Sequence, residues 1–123
     1  MEEQSRRAHP RVEADISVSV KAVGKPAMVS GVIKNISLGG VFVQLDEPLS
    51  FGTDVDLEFS LSAAAKTIRC KGVVLWSTRQ TPEKSPSGLP GMGIRLRDIS
   101  VRDMRELAEY VSVQLESSDA APH

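Results

Sequence analysis

Hydrophobic and polar residues alternate along most of the chain with a period of two. The alternation is strict in Ile16-Ser-Val-Ser-Val20, and it returns in residues 55–61 and 91–97. This is the pattern of strands that bury one face and expose the other. Turn signals, among them Gly24-Lys25-Pro26, separate the runs. Six strands are therefore predicted, over residues 16–20, 28–37, 41–45, 55–61, 67–76 and 91–97.

The connections between these strands carry their own signals. Gly39-Gly40 separates the second strand from the third, which predicts a tight hairpin whose glycines adopt positive φ. In the fifth strand the apolar positions change parity near Gly72, which predicts a β-bulge there. Residues 78–90 are rich in proline, serine and charge, so we expect a mobile loop.

After the sixth strand the period becomes that of a helix. Ser100 followed by Asp103 predicts a capped helix start, because the hydroxyl accepts an orphan N–H and the carboxylate suits the positive helix end. Residues 117–123 are expected to form a disordered tail. Six strands and one helix predict a mainly β fold, a small antiparallel barrel or sandwich that the helix closes or flanks. The apolar stripe of the helix contains Val101, Met104, Leu107, Ala108, Val111 and Leu115.

Composition fits one soluble domain of 123 residues, with 41% hydrophobic and 25% charged residues. The formal net charge of −1 argues against bulk electrostatic binding to a nucleic-acid duplex or an anionic membrane. The single cysteine, Cys70, excludes an intrachain disulfide, and its apolar neighbours predict a core position. A single cysteine without a partner in the chain indicates a reducing compartment, so we expect a cytoplasmic protein. The lack of a long apolar run leads us to expect no membrane insertion.

An enzyme is not expected. The two histidines are His9, in the N-terminal arm, and His123, at the C-terminus, and the sequence pattern places no nucleophile beside either of them. No histidine or cysteine spacing predicts a metal site, and no glycine-rich phosphate loop precedes a helix. A binding module without a metal or cofactor is the better class.

Two separated motifs carry the binding chemistry. Arg6, Arg7 and Arg11 lie just before the first strand, and guanidinium forks suit phosphate oxygens and the acceptor edge of guanine. Asn35 and Ser37 are two apart on the second strand, so they share a face while the residue between them points into the core. Either motif alone is weak, because a basic leader is most often solvated and Asn-x-Ser before two glycines is also hairpin chemistry.

Together the motifs Arg7-x-x-x-Arg11 and Asn35-x-Ser37-x-x-Gly40 resemble the PilZ domain, the bacterial receptor module for cyclic di-GMP. The resemblance covers residues 6 to 116. It implies a six-stranded antiparallel Greek-key barrel with a C-terminal α-helix over residues 12–116, preceded by a flexible arm over residues 1–11. The dinucleotide would lie on the outer surface of the barrel.

The resemblance also implies a set of ligand-binding residues. Arg7 and Arg11 match the family's arginine pair, and Arg6 is expected to add a third contact. Many family members have aspartate where this chain has Asn35; an amide offers guanine one acceptor instead of two, which costs about 1–2 kcal/mol. Trp76 has two open interpretations, stacking on a guanine or packing in the core. The full expected set is Arg6, Arg7, Arg11, Asn35, Ser37, Gly40 and Trp76.

Two functions stay open at this point. The first is a cyclic di-GMP receptor that relays the signal to a partner protein in motility, polysaccharide or chemosensory output, as a monomer or weak dimer with one or two ligands per site. The second is a protein-interaction adaptor with weak or no ligand binding. Single-stranded nucleic acid is disfavoured, since aromatic residues are only 4% and Phe42 and Phe59 are expected to be internal. Arg95, Arg97, Arg102 and Arg105 are interpreted as solvated.

Overall fold

The structure, a computed structural model, describes residues 10–86 and 88–120, with side chains described up to residue 116. All six predicted strands are present; the first is longer than predicted at both ends, and the bounds of the other five agree with the prediction to within one residue. A short 3-10 helix over Pro82–Lys84 precedes the last strand. The strands are β1 (Val12–Ala22), β2 (Met28–Ile36), β3 (Gly40–Gln44), β4 (Asp54–Ser60), β5 (Thr67–Ser77) and β6 (Gly91–Arg97), and the helix α1 spans Val101–Ala120.

The strands form a closed antiparallel barrel in the order β1-β2-β3-β6-β5-β4, with β4 pairing back onto β1. The fold prediction of a six-stranded antiparallel barrel with a C-terminal helix is confirmed, and the sandwich alternative is wrong. β3 and β4 lie on opposite sides of the ring and are joined by residues 45–53. Leu45 and Leu49 of this connection pack against the barrel core.

The core is made by the inward-facing residues of the alternating strands. Val20, Ile33 and Val55 have no exposed surface, and Cys70 is buried among them as predicted. Ile36 is also fully buried, which confirms that it points inward between Asn35 and Ser37. Sequence periodicity therefore identified which face of the strands is buried.

The helix covers the core through Leu107 and Val111, which are 0% and 4% exposed. Its capped start is confirmed, since the Ser100 hydroxyl accepts the Asp103 N–H at 3.0 Å. The prediction that Val101 belongs to the apolar stripe is wrong, because that side chain is 73% exposed. At about 100° per residue, Val101 lies about 120° away from Leu107 around the helix axis.

The C-terminal bound of α1 also differs from the expectation. The helical backbone continues to Ala120, four residues beyond the expected bound at 116. Residues 121–123 of the expected tail lie outside the described residues.

The bulge predicted near Gly72 lies instead at Leu75. Pairing runs without interruption through Gly72, and the register shifts between Val74 and Trp76. Gly72 has a packing role, since a Cβ there would lie 2.5 Å from Ile94 Cγ2. Because Gly72 puts no apolar side chain at this inward position, the apolar pattern in the sequence resembles a change of parity.

Residues 78–90, expected to be a mobile loop, have defined local contacts where the structure describes them. The Thr81 hydroxyl donates to Ser77 O at 3.1 Å, and Gly91 N donates to the Thr78 hydroxyl at 3.1 Å. These bonds tie the start of the loop and the start of β6 to the end of β5.

Candidate binding site on the outer wall of the barrel

The β2–β3 hairpin is held by Ser37. Its backbone N–H donates to Gly40 O at 2.9 Å, and its hydroxyl oxygen accepts from Gly39 N and Gly40 N, both at 3.2 Å. The tight hairpin is confirmed, but the expected positive φ is wrong for both Gly39 and Gly40. Gly40 is required by packing, because a Cβ there would lie 2.6 Å from Ile94 O on the neighbouring strand.

An aromatic pair lies next to this hairpin. Phe42 and Trp76 are stacked, with ring centroids 5.4 Å apart and an interplanar angle of 11°. Val41 and Val43 belong to the core, so Phe42 between them faces outward, although it is only 2% exposed. The expectation that Phe42 is internal is therefore correct for its burial and wrong for its side of the sheet. Phe59 lies in the core as expected.

Two glycines on β6 make room for the aromatic pair. A Cβ at Gly91 would lie 2.6 Å from Phe42 Cζ, and a Cβ at Gly93 would lie 2.1 Å from Trp76 Nε1. The rings therefore lie directly on the β6 backbone. The alternation of residues 91–97 predicts only that Gly91 and Gly93 begin a strand. The signal available was two glycines on one face of a strand, which marks close approach of other groups.

The bulge at Leu75 aims Trp76 at the outer surface. Val74 and Ser77 are fully buried, whereas Leu75 is 49% exposed and Trp76 is half-buried. An extra residue in a bulge re-aims the side chains that follow it. Trp76 is thus outside the core, on the outer wall beside the hairpin.

A cavity of about 830 Å³, here called the hairpin cavity, is bounded by the β2–β3 hairpin, β5, β6 and the start of α1. Four of the expected site residues line it: Arg11, Ser37, Gly40 and Trp76. Leu75, Leu96 and Met104 add apolar surface. A cavity of this size with few polar groups on an apolar lining suits a small ligand.

Asn35 lies in an adjoining cavity of about 700 Å³, and Phe42 lines both cavities. Asn35 pairs with Phe42 across β2 and β3, which places it on the outer face. Tyr110 and Gln114 of the helix line this second cavity. The structure therefore brings Asn35 and Ser37 to the same region of the outer wall, but they line different cavities, with Phe42 between the two.

The arginines divide between described and undescribed residues. Arg11 is exposed and precedes Val12, which pairs with Ile36 at the end of β2, so Arg11 lies beside the hairpin. Arg6 and Arg7 lie outside the described residues.

The hairpin cavity has a charged lining residue outside both sequence motifs. Arg95 is exposed, as the solvated interpretation predicts, and it also lines the hairpin cavity. It pairs with Gly40 across β3 and β6. Only strand register reveals this, because Arg95 is far from both motifs along the chain.

The single cysteine of the chain, Cys70, is buried and unpaired. Burial, with a further contribution from the charge of Asp103, raises the pKa of the Cys70 thiol to about 11, so it stays protonated at neutral pH. No cluster of His, Cys, Asp or Glu suited to a metal ion occurs within residues 10–86 and 88–120. In that same part of the chain, α1 is too polar to span a bilayer.

The fold and the cavity define a small β-barrel domain with a binding site on its outer wall. The family model for the PilZ domain matches residues 5–112, and the chain belongs to this family. No curated protein matches the chain.

Solved structures share the fold. Bacillus subtilis MotI/DgrA, an inhibitor of motility, superposes with a TM-score of 0.70 at 24% identity, over 90% of this chain and 52% of its own. Escherichia coli YcgR in complex with c-di-GMP gives 0.71 at 17% identity, over 93% and 48%. The chain thus spans about half the length of these two proteins. The PilZ domain of YcgR with c-di-GMP gives 0.69 at 14% identity, over 94% and 99%.

Proposed function

We propose that this protein is a receptor for cyclic di-GMP and that the ligand binds in the hairpin cavity. The observation that carries the proposal is that one cavity is lined by Arg11, Ser37 and Gly40, which come from both halves of the motif. Membership of the PilZ family and a fold shared with proteins solved in complex with c-di-GMP support it.

The proposed binding chemistry uses three kinds of contact. Arg11 donates paired N–H groups to a phosphodiester or a guanine edge, and Arg6 and Arg7 add further forks from the arm. The half-buried ring of Trp76 offers a face on which a guanine can stack. Asn35, in the adjoining cavity, hydrogen-bonds the second guanine or the far edge of the first.

The signal then passes to a partner protein. We propose that residues 1–11 form an arm that orders over the ligand, so that binding changes the surface that a partner contacts. Motility is one output to test first, because MotI, described as an inhibitor of motility, shares the fold. In this proposal the protein is not an enzyme, cyclic di-GMP is a ligand and not a cofactor, and the site of action is the cytoplasm.

The adaptor alternative has one observation in its favour. The Ser37 hydroxyl already accepts two backbone N–H groups of the hairpin, so in this structure it serves the turn. A serine kept for hairpin geometry alone needs no nucleotide. The Ser37 hydroxyl donates to Gly40 O across an oxygen–oxygen distance of 3.4 Å, a weak hydrogen bond. In the receptor function the hydroxyl can therefore donate to a ligand instead.

Calorimetric titration with cyclic di-GMP separates the two functions. We expect binding by the wild type and at least a tenfold loss in Arg7→Ala and in Arg11→Ala, because each substitution removes a charge-assisted contact. Arg105→Ala is the matched control, an exposed arginine of the helix that does not line the hairpin cavity. Cyclic di-AMP tests whether guanine is recognised. Absence of heat with the wild type would favour the adaptor.

A further inference from the structure

We propose that Arg95 is a ligand-binding residue that holds a phosphate oxygen of the cyclic dinucleotide from the sheet side of the hairpin cavity. The inference rests on the proposed function and adds a residue outside both sequence motifs. It makes the cationic site two-sided, with one guanidinium from Arg11 before β1 and one from Arg95 on β6.

The strand order places one arginine on each side of the β2–β3 hairpin. Arg11 precedes β1 and lies beside the end of β2, whereas Arg95 pairs with Gly40 at the start of β3. In the sequence of neighbours β1-β2-β3-β6, the hairpin lies between these two outer strands. Both side chains line the same cavity. A ligand over the hairpin therefore has a guanidinium on either flank.

The hairpin itself has little to offer an anion. Ser37 N donates to Gly40 O, and the amides of Gly39 and Gly40 donate to the Ser37 hydroxyl. Three of its backbone donors are thus already used, so this turn is not a ready-made phosphate cradle. A phosphodiester in the cavity must be neutralised by side chains, and guanidinium groups are well suited to this.

Arg95 also differs from its neighbour on the same face of β6. Arg97 lies 3.9 Å from Asp54 and pairs across the strands with Lys71. Arg95 faces the uncharged Val73 and Gly40 in the two adjacent strands, and it has no ion pair within the described residues. No carboxylate of the barrel wall therefore neutralises its charge within the described residues, which leaves the guanidinium free to bind a ligand anion.

The test compares two arginines that are two residues apart. In calorimetric titrations with cyclic di-GMP we expect Arg95→Ala to raise the Kd about tenfold, the loss of one charge-assisted contact. Arg97→Ala, the matched control, should stay within about twofold of the wild type because its partner is Asp54. Arg95→Lys keeps the charge but loses the fork, so its Kd should fall between those of the wild type and Arg95→Ala. A phosphate contact further predicts that the affinity of Arg95→Ala declines less steeply with added salt.

The outcomes are separable from failure of the proposed function. If the wild type binds, Arg11→Ala loses binding and Arg95→Ala equals the wild type, the role of Arg95 is refuted while the receptor stands. If the wild type gives no heat, both proposals fall together. If Arg95→Ala and Arg97→Ala weaken binding equally, the effect is general surface charge and the specific contact is refuted. The melting temperature should be unchanged in Arg95→Ala, Arg95→Lys and Arg97→Ala, since the side chains of Arg95 and Arg97 are exposed.

Discussion

The ring of Trp76 lies parallel to that of Phe42, with an interplanar angle of 11° and centroids 5.4 Å apart. Phe42 is 2% exposed, so it backs the tryptophan and holds it at the cavity wall. Aromatic pairs of this kind contribute about 0.5–1.5 kcal/mol beyond the area they bury. The pair therefore forms a stiff apolar platform. A purine can stack on the Trp76 ring without any need to order that ring first.

Trp76 should report ligand binding directly, because it is the only tryptophan of the chain. We expect cyclic di-GMP to change its fluorescence, and Trp76→Ala to weaken binding by about 1–3 kcal/mol, the usual worth of a base–aromatic stack. Calorimetry measures the second effect. Val113→Ala is the control, a half-exposed apolar residue of the helix that does not line the hairpin cavity. Unchanged emission at saturating ligand would place the dinucleotide elsewhere.

Gly93→Ala should displace the tryptophan without touching the arginines. A Cβ there would lie 2.1 Å from Trp76 Nε1, so the indole must move off β6. Overpacking of this kind costs about 1–3 kcal/mol of unfolding free energy. In the double variant with Trp76→Ala the clash disappears, and the two losses should be strongly non-additive when measured by denaturant unfolding. Additive losses would show that Gly93 acts independently of the ring.

The fold was largely predictable, because each strand buries one face and the apolar period records which face that is. Alternation over residues 16–20 predicts one buried face, and Ile16, Val18 and Val20, which share a face, are all buried. The bulge was misplaced for a physical reason: Gly72 lacks a side chain where Ile94 needs space, and a missing apolar residue looks like a change of parity.

The lining of the hairpin cavity was predictable only in part. The arginine and Asn-x-Ser motifs identify Arg11 and Ser37 because they are short and local in sequence. Arg95 joins them through the register of β3 with β6, a contact across more than fifty positions that no local pattern encodes. The side of the sheet on which Phe42 lies was likewise hidden, since the Leu75 bulge and the β6 glycines create a buried place outside the core.

Ser37→Ala should lower the stability of the protein as well as its affinity for cyclic di-GMP. Ser37 is 5% exposed, and its hydroxyl oxygen accepts the N–H groups of Gly39 and Gly40. Leaving buried donors unsatisfied costs about 1–3 kcal/mol of unfolding free energy. Ser30→Ala, at an exposed serine of the preceding strand β2, should change that free energy by less than about 0.5 kcal/mol. Urea unfolding measures both, and equal effects would contradict a structural role for the hydroxyl.

An exposed ion pair on the barrel wall should give a small stability contribution with a defined dependence on pH. Lys71 Nζ donates to Asp56 Oδ1 at 2.8 Å, and this bond lowers the pKa of Asp56 and raises that of Lys71. A depressed carboxyl pKa stabilises the fold above the unfolded value, near 3.9, and the effect is lost as pH falls through the folded value. A raised amine pKa stabilises the fold below the unfolded value and is lost as pH rises through the folded one.

The contribution of this pair is therefore full at neutral pH and declines at both extremes. Asp56→Asn should lower the melting temperature slightly at pH 7, and the difference from the wild type should shrink as the pH falls below about 4. Added salt should also reduce it, because both groups are exposed to solvent. Asp46→Asn is the control, an exposed aspartate with no ion pair within the described residues. A difference for Asp56→Asn that persists undiminished at pH 2 would mean that the substitution acts through strand packing and not through the charge.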